Sequence, residues 1–293
     1  MTLAMLKDLL DLTKPRLSSM VVITTGFGAL LAPGWTAVPY IQLIALILGS
    51  TLIVAAANTF NCIIEKDTDL LMERTHNRPL PQKRLKVSEA TIFGLGLLIL
   101  AIIILAKFTN NLALSLALIG FGSYVFLYTP LKRFSSTALY VGAIPGAIPP
   151  MIGFAGVAGR LDVAAWILFW ILFFWQLPHF IAISLFRFDD YKNAGLKTLP
   201  GQFGRDSAQG QMLLYTGGLV IASFAPYFAG LAGVVYLACA LLVGIGFATV
   251  CVAGFFDEQK INWSRVVFLG SLAYLPIVLG IWALDRWMTT IGF

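Results

Sequence analysis

Three oxygen-bearing side chains, Asn61, Glu65 and Asp69, stand four residues apart in the stretch NTFNCIIEKDTDLLMERTHNRPLP at 58–81. On a helix this spacing lines them along one face, about a turn apart. Two carboxylates so placed repel, and a divalent cation relieves the repulsion. Carboxylate and amide oxygens suit Mg²⁺, which keeps several waters and shares itself with substrate phosphates. Arg74 and Arg78 follow closely, and the guanidinium fork matches phosphate geometry. On these residues alone the alternative is a helix end dissolving into a solvated charged loop.

A second polar region, FWQLPHFIAISLFRFDDYKNAGLKTLPGQFGRD, supplies His179, Arg187, Asp189, Asp190, Lys192 and Lys197. Its two acids and several bases could hold a second Mg²⁺ and the far side of a diphosphate, turning one wall into a clamp; ordinary ion pairs on a solvated loop are the alternative. His76 and His179 are the two histidines of the chain. His76, between the two arginines, touches diphosphate or caps its loop. His179 lies beside Trp175 and Gln176 among aromatics that could face a planar ligand or simply pack.

The elements that must position these groups are membrane helices. The 293 residues are 59% hydrophobic and 12% charged, against roughly 25% charged in soluble domains, and the mean hydropathy is +0.86. Apolar runs long enough to cross the bilayer recur along the chain. We read about nine spans, at roughly 17–36, 40–60, 88–107, 111–129, 137–158, 163–186, 211–230, 233–254 and 264–286. The expected fold is all-α and polytopic, with these helices around a central lipid-lined cavity that opens to the cytoplasmic side.

With the N-terminus in the cytoplasm, all but Lys107, Arg160 and Arg286 of the 20 lysines and arginines fall on the cytoplasmic side. The positive-inside rule favours that orientation. The long polar loops, about 65–87 and 187–210, then share one face. The net charge of +6 follows from this distribution and calls for no nucleic-acid partner. Residues 1–16 read as an amphipathic surface segment, with Leu3, Leu6 and Leu10 at helical spacing and Lys14 and Arg16 at the headgroups. The mixture of acids and bases, with no small-residue cleavage site, argues against a cleaved signal peptide.

Cys62, Cys239 and Cys251 lack the spacing of a zinc site or a disulfide framework. Outside those two long loops and the terminal segments few acids remain and none sits mid-span, with Asp162 and Asp285 isolated at outer span ends. Proton and ion pumps carry ionisable groups near the midplane, so a transporter without chemistry fits less well than an enzyme taking a charged headgroup from the cytoplasm and an oily tail from lipid. The fifth span, with three prolines and several glycines, must be kinked; it packs closely against a neighbour or walls a substrate. No linker separates a second domain, so 1–293 reads as a single membrane domain.

The motif Asn61, Glu65, Asp69, Arg74, Thr75, Arg78, Pro79, Leu80 resembles the first signature of the UbiA-type intramembrane prenyltransferases. The stretch FLYTPLKR resembles that family's Tyr-x-x-x-Lys element through Tyr128 and Lys132. The resemblance runs along nearly the whole chain and points to the heme branch through TKPR at 13–16, GAIPGAIPPMIG, WQLPHF and DDYKNAG. Members acting on quinone or chlorophyll precursors usually carry two acids four apart in the second loop, whereas Ala194 stands four residues after Asp190. Glu65 replaces the commoner aspartate.

The resemblance implies an inner-membrane, Mg²⁺-dependent enzyme that moves a farnesyl group from farnesyl diphosphate to a vinyl group of heme b, with addition of water. Heme O and diphosphate are the implied products, and heme b is a substrate rather than a cofactor. A UbiA-type enzyme acting on a quinone or phenolic precursor is the alternative within the family. The implied metal ligands are Asn61, Glu65 and Asp69, with Asp189 and Asp190 for a second ion. Catalysis would rest on Asn61, Glu65, Asp69 and Asp190, and diphosphate on Arg74, Arg78, Tyr128, Lys132 and Lys197. Heme would contact His179, Trp175 and Gln176. The same resemblance implies hand-over of heme O to a downstream heme-modifying enzyme or terminal oxidase assembly.

Overall fold

Helix is the only regular structure among the described residues, 3–256 and 261–290 of the computed structural model, the side chains of Arg16, Leu17, Ile261, Thr289 and Thr290 excepted. Lipid offers no partner to a backbone amide or carbonyl, so each spanning segment must satisfy its own. The chain divides into two units. The first runs up to Arg160 and includes Asp189–Lys197; the second holds Leu161–Phe188 and the chain from Thr198 onward.

In the first unit, α1 (Leu3–Leu12) precedes α2 (Pro15–Leu31), α3 (Tyr40–Asp69) and α4 (Val87–Phe108). Then α5 (Asn111–Gly122) passes through a π-helical turn, Ser123–Tyr128, into α6 (Thr129–Leu131). The unit continues with α7 (Ala138–Ala147) and α8 (Pro149–Ala158). Asn110 caps α5 by accepting from the Ala113 amide at 2.9 Å, and its Nδ2 donates to the Ala155 carbonyl at 2.8 Å, tying α5 to α8. The helix restarts at Pro149 because Pro149 and Pro150 have no N–H to offer the preceding turn. A side chain at Gly28 would overlap the Pro150 backbone, and one at Gly153 the Thr25 backbone. The fifth span is thus both kinked and closely packed on α2, as small residues permit.

The second unit consists of α9 (Val163–Phe186), α11 (Leu199–Phe203), α12 (Arg205–Phe228), α13 (Val234–Ala253) and α14 (Ile261–Thr290). The short α10 (Phe188–Asn193) lies between α9 and α11 in the chain. Buried Ser223 on α12 bonds Tyr274 of α14 at 2.8 Å, while the Tyr236 hydroxyl of α13 donates to the Ser223 carbonyl at 2.7 Å. Polar groups are therefore paired where three helices meet.

Among the described residues seven helical stretches are long and apolar enough to span a membrane: Tyr40–Asp69, Val87–Phe108, Asn111–Leu131, Ala138–Ala158, Val163–Phe186, Val234–Phe256 and Asn262–Met288. The other two expected spans fall on α2, whose apolar part is the shorter Ser18–Leu31, and on α12, which opens with the polar run RDSAQGQ. Two loop boundaries also change. The first loop starts after Asp69 rather than at 65, because α3 stays helical through its acids. The second is divided by α10 and α11, and α12 begins at Arg205.

The N-terminal segment differs from expectation in a way that bears on the site. Leu3, Leu6 and Leu10 of α1 are exposed, as for a membrane-facing surface. Leu9 and Leu12, on the other side, are buried with Cys62, Leu80, Leu85 and Ala90. Lys14 does not reach for headgroups; its ammonium donates to Asn61 Oδ1 at 2.5 Å. The side chain of Arg16 lies outside the described residues.

Candidate active site

The C-terminal part of α3 brings Asn61, Glu65 and Asp69 to one face, and each is buried, at 0%, 8% and 1% exposure. Burial on this scale excludes a solvated helix end, since uncompensated carboxylates do not leave water. Each residue instead meets one base. Lys14 Nζ donates to Asn61 Oδ1, Lys132 Nζ to Glu65 Oε1 at 2.7 Å, and Arg78 to Asp69 Oδ2 at 2.7 Å. The ladder of oxygens is matched by a ladder of cations delivered from three parts of the chain.

The π turn aims one of these bases. Its wider winding brings Tyr128, Thr129 and Lys132 onto the α3 side, a use for which π turns are common at functional sites. Thr129 Oγ1 donates to the Tyr124 carbonyl at 2.8 Å and accepts from Asn61 Nδ2 at 3.1 Å. The Lys132 ammonium sits 4.4 Å from the centre of the Tyr128 ring, within cation–π range. A Cβ at Gly142 of α7 would overlap that ring, so glycine makes the space Tyr128 fills. Arg133 donates to the Ile64 carbonyl at 2.8 Å, fastening the same turn to α3.

Lys132 and Arg78 keep their charge in this setting. Burial alone would lower the Lys132 pKa, but Tyr128 and Glu65 more than offset it and hold it well above the usual lysine value. Burial likewise opposes the Arg78 charge, and Asp69 raises its pKa on balance. Lys14 is pulled below the usual lysine range by burial.

After α3 the loop folds back on itself: Thr75 Oγ1 donates to the Asp69 carbonyl at 2.9 Å, and Arg78 returns to the Asp69 side chain. His76 Nδ1 meets the Glu73 carbonyl at 2.6 Å, capping the turn. Arg74 is exposed. The second loop joins this site through the backbone, the Lys197 amide donating to the Lys132 carbonyl at 3.0 Å. The Lys197 side chain and Asp189 are exposed, and Asp190 is half-buried. Tyr191, absent from the sequence expectations, faces the site: burial pushes its phenol pKa up, against the pull of Arg74, and Tyr128, Lys132 and Glu65 also act on it. Among the described residues no three His, Cys, Asp or Glu side chains gather. Asp189 and Asp190 therefore do not form one set with Glu65 and Asp69, and the oxygen set on α3 depends on the Asn61 amide.

His179 belongs to the second unit, buried on α9. Its ring stacks on Trp175, with centroids 5.0 Å apart, and packs against Phe268 at 4.9 Å. The Ser271 hydroxyl donates to the Phe268 carbonyl at 2.6 Å and lies 2.8 Å from His179 Nδ1. When that proton goes to the carbonyl, a neutral imidazole donates from Nδ1 and keeps the lone pair on Nε2. Fixing one ring nitrogen in this way is how proteins prepare the other as a metal ligand. Trp175 Nε1 donates to the Ser271 carbonyl at 2.6 Å, and Gln176 Nε2 to the Leu172 carbonyl at 3.0 Å.

The family model described as "UbiA prenyltransferase family" matches residues 21–286. The chain belongs to the UbiA prenyltransferase family. Among the relatives of this UbiA prenyltransferase are the protoheme IX farnesyltransferase of Myxococcus xanthus, 42% identical over 95% of this chain and 94% of that protein, and that of Sorangium cellulosum, 44% identical over 83% and 86%. The fold is shared with a solved structure from work on digeranylgeranylglyceryl phosphate synthase, with TM-score 0.79, 21% identity, and 96% and 98% of the two chains covered. It is shared too with a UbiA homolog from Archaeoglobus fulgidus bound to DMAPP and Mg²⁺, with TM-score 0.68, 16% identity, and 94% and 99% covered.

The UbiA signature had already pointed to Asn61, Glu65, Asp69, Arg78, Tyr128 and Lys132, which the structure brings together. Sequence reasoning placed Lys14 at the headgroups rather than on Asn61, and it did not single out Thr129, Tyr191 or Ser271. The proline after Lys14 was a signal that the chain starts a helix there; nothing local marks the other three.

Proposed function

We propose that this prenyltransferase transfers a farnesyl group from farnesyl diphosphate to a vinyl group of heme b, with addition of water, to give heme O and diphosphate. The observation that carries the reading is the ladder on α3, three buried oxygen carriers each met by a base. Such a set can exchange its internal partners for a metal diphosphate. The names of the relatives support heme as acceptor. We read 1–293 as one membrane-embedded domain, a reading supported by the family match across 21–286. The base distribution supports a cytoplasmic N-terminus and an inner-membrane location, with heme O handed to a downstream heme-modifying enzyme or oxidase assembly.

The donor set on α3 fits Mg²⁺: two carboxylates and an amide oxygen are hard oxygen ligands. Each ion pair uses one oxygen of its carboxylate, Glu65 Oε1 and Asp69 Oδ2, which leaves the second oxygen of each for a cation. Asp189 and Asp190 are assigned to a second ion. When bound, Mg²⁺ neutralises charge that grows on a leaving diphosphate. Arg78 and Lys132, with Arg74 and Lys197, bind the phosphate oxygens, and the Tyr128 ring keeps the Lys132 ammonium in position. These preorganised charges favour departure of diphosphate with the electron pair of the breaking farnesyl C–O bond.

The vinyl π electrons then form the new carbon–carbon bond at the farnesyl carbon. The cation left beside the porphyrin is captured by water, which loses a proton and becomes the hydroxyl. Apolar helix faces shield the first cation from bulk water. His179 Nε2 is assigned to heme iron, with Trp175 and Gln176 against the macrocycle. The test is acceptor choice: with Mg²⁺ and farnesyl diphosphate, purified protein should convert heme b and leave 4-hydroxybenzoate unprenylated. Prenylated 4-hydroxybenzoate with heme b unchanged would replace heme by a phenolic acceptor.

A further inference from the structure

Lys14 enters the site from outside the helices that build it. It links α1 to α2 with φ 50° and ψ 63°, a left-handed conformation uncommon for a residue with a Cβ. Among the described residues only exposed Lys83, φ 56°, shares that sign without being glycine. Where a chain needs only to reverse, glycine does so at least steric cost, as at Gly34 and Gly159 here. An observed outlier of this kind is grounds for a functional hypothesis.

The segment is also pinned. Asn58 Nδ2 donates to the Thr13 carbonyl at 3.1 Å and lies 3.3 Å from Ser18 Oγ, and the Cys62 thiol reaches the Leu12 carbonyl at 3.8 Å. These contacts fix the point from which the Lys14 side chain departs, and its ammonium ends on Asn61.

The three rungs of the ladder differ in charge. Lys132 and Arg78 rest on carboxylates and are neutralised by them. Lys14 rests on an uncharged amide, and among the described residues no carboxylate lies within ion-pair distance of it. A partly buried cation without a direct counter-charge is costly unless an anion arrives. Asn61 Oδ1, for its part, cannot give the same lone pair to Lys14 and to a metal ion.

We propose that Lys14 is a further substrate-binding residue, which holds the Asn61 amide in place before substrate arrives and passes to the diphosphate when metal diphosphate reaches α3. This inference rests on the reading of α3 as the metal-diphosphate wall. Asn61 is thereby released to the metal at the moment Lys14 gains an anion, so metal and diphosphate bind together more tightly than either does alone.

The experiment titrates purified full-length protein in detergent with Mn²⁺, read by electron paramagnetic resonance, with and without inorganic diphosphate. Lys14→Met and Lys14→Gln should weaken Mn²⁺-diphosphate binding about tenfold or more, the scale of a lost charge-assisted hydrogen bond. Mn²⁺ alone should bind them no more weakly than it binds the parent protein. Lys14→Arg should stay within about threefold of the parent, and KM for farnesyl diphosphate should rise in the Met and Gln variants while KM for heme b stays put. Gln keeps a donor for Asn61, which separates lost charge from lost folding. Asp8→Ala removes the 3.1 Å pair between α1 and Arg84 without touching Lys14. Unchanged diphosphate affinity in both charge-removing variants, or an equal loss in Asp8→Ala, overturns the proposal. Asp69→Asn separates the two levels: if it too leaves Mn²⁺-diphosphate binding intact, the reading of α3 fails, whereas its loss beside an intact Lys14→Gln removes only the role of Lys14.

Discussion

Removing the Lys132 ammonium leaves the Glu65 carboxylate buried beside an empty partner position. Breaking a pair of this kind costs about 3–5 kcal/mol, while replacing both members with neutral groups of similar size is often close to neutral. Lys132→Met should therefore lower thermal stability in detergent and abolish turnover. Lys132→Met combined with Glu65→Gln should recover most of the stability and none of the turnover. A scan of unfolding temperature beside a product assay checks both; recovered activity in the double variant would reduce the pair to a structural tie. On the second unit, Ser271→Ala frees His179 Nδ1 and lets the imidazole choose its tautomer. It should weaken heme b binding and shift the Soret band without changing Mn²⁺-diphosphate affinity. An unaltered heme titration would remove His179 and Ser271 from the acceptor site.

At the scale of elements, the π turn and α7 are coupled through Gly142. Any side chain there meets the Tyr128 ring, and Tyr128 carries Lys132 on its face. Gly142→Val should push the ring away and cost at least about tenfold in kcat, with overpacking of about 1–3 kcal/mol; Gly122→Ala, where a Cβ meets open space, should do neither. Unfolding midpoints and initial rates in the two variants decide the point. Elements of this kind also mark what the sequence could convey. The i, i+4, i+8 spacing announces one helical face whatever the tertiary structure, so the oxygen ladder was legible. A π turn has no such period, and the path of Lys14 depends on one left-handed residue, so the bases that answer the ladder could be named only in part. In the second loop the charged Asp189 and Asp190 stood out in the sequence, whereas the neutral Tyr191, which couples to Arg74, Tyr128, Lys132 and Glu65, carried no such signal.

Across the whole molecule, hydropathy made the helices readable because lipid permits few alternatives. It was less exact for α2 and α12, where a short apolar stretch and a polar first turn blur the count. The clustering of polar groups was legible on α3, where charge is rare and its spacing informative. It was less so on the acceptor side, where His179 and Trp175 sit among aromatics that any membrane helix could carry. Together these features make the α3 carboxylates the proposed drivers of diphosphate loss, by which heme b is alkylated.

The most direct measurement is mass spectrometry of the heme fraction after incubating Mg²⁺, farnesyl diphosphate and heme b with the parent protein or with Asp69→Asn, each shown to be folded and to bind heme. The account predicts heme O from the parent protein and a fall of at least about 10²-fold in the variant. Heme O formed at the parental rate by Asp69→Asn, or none from the parent protein itself, would contradict it.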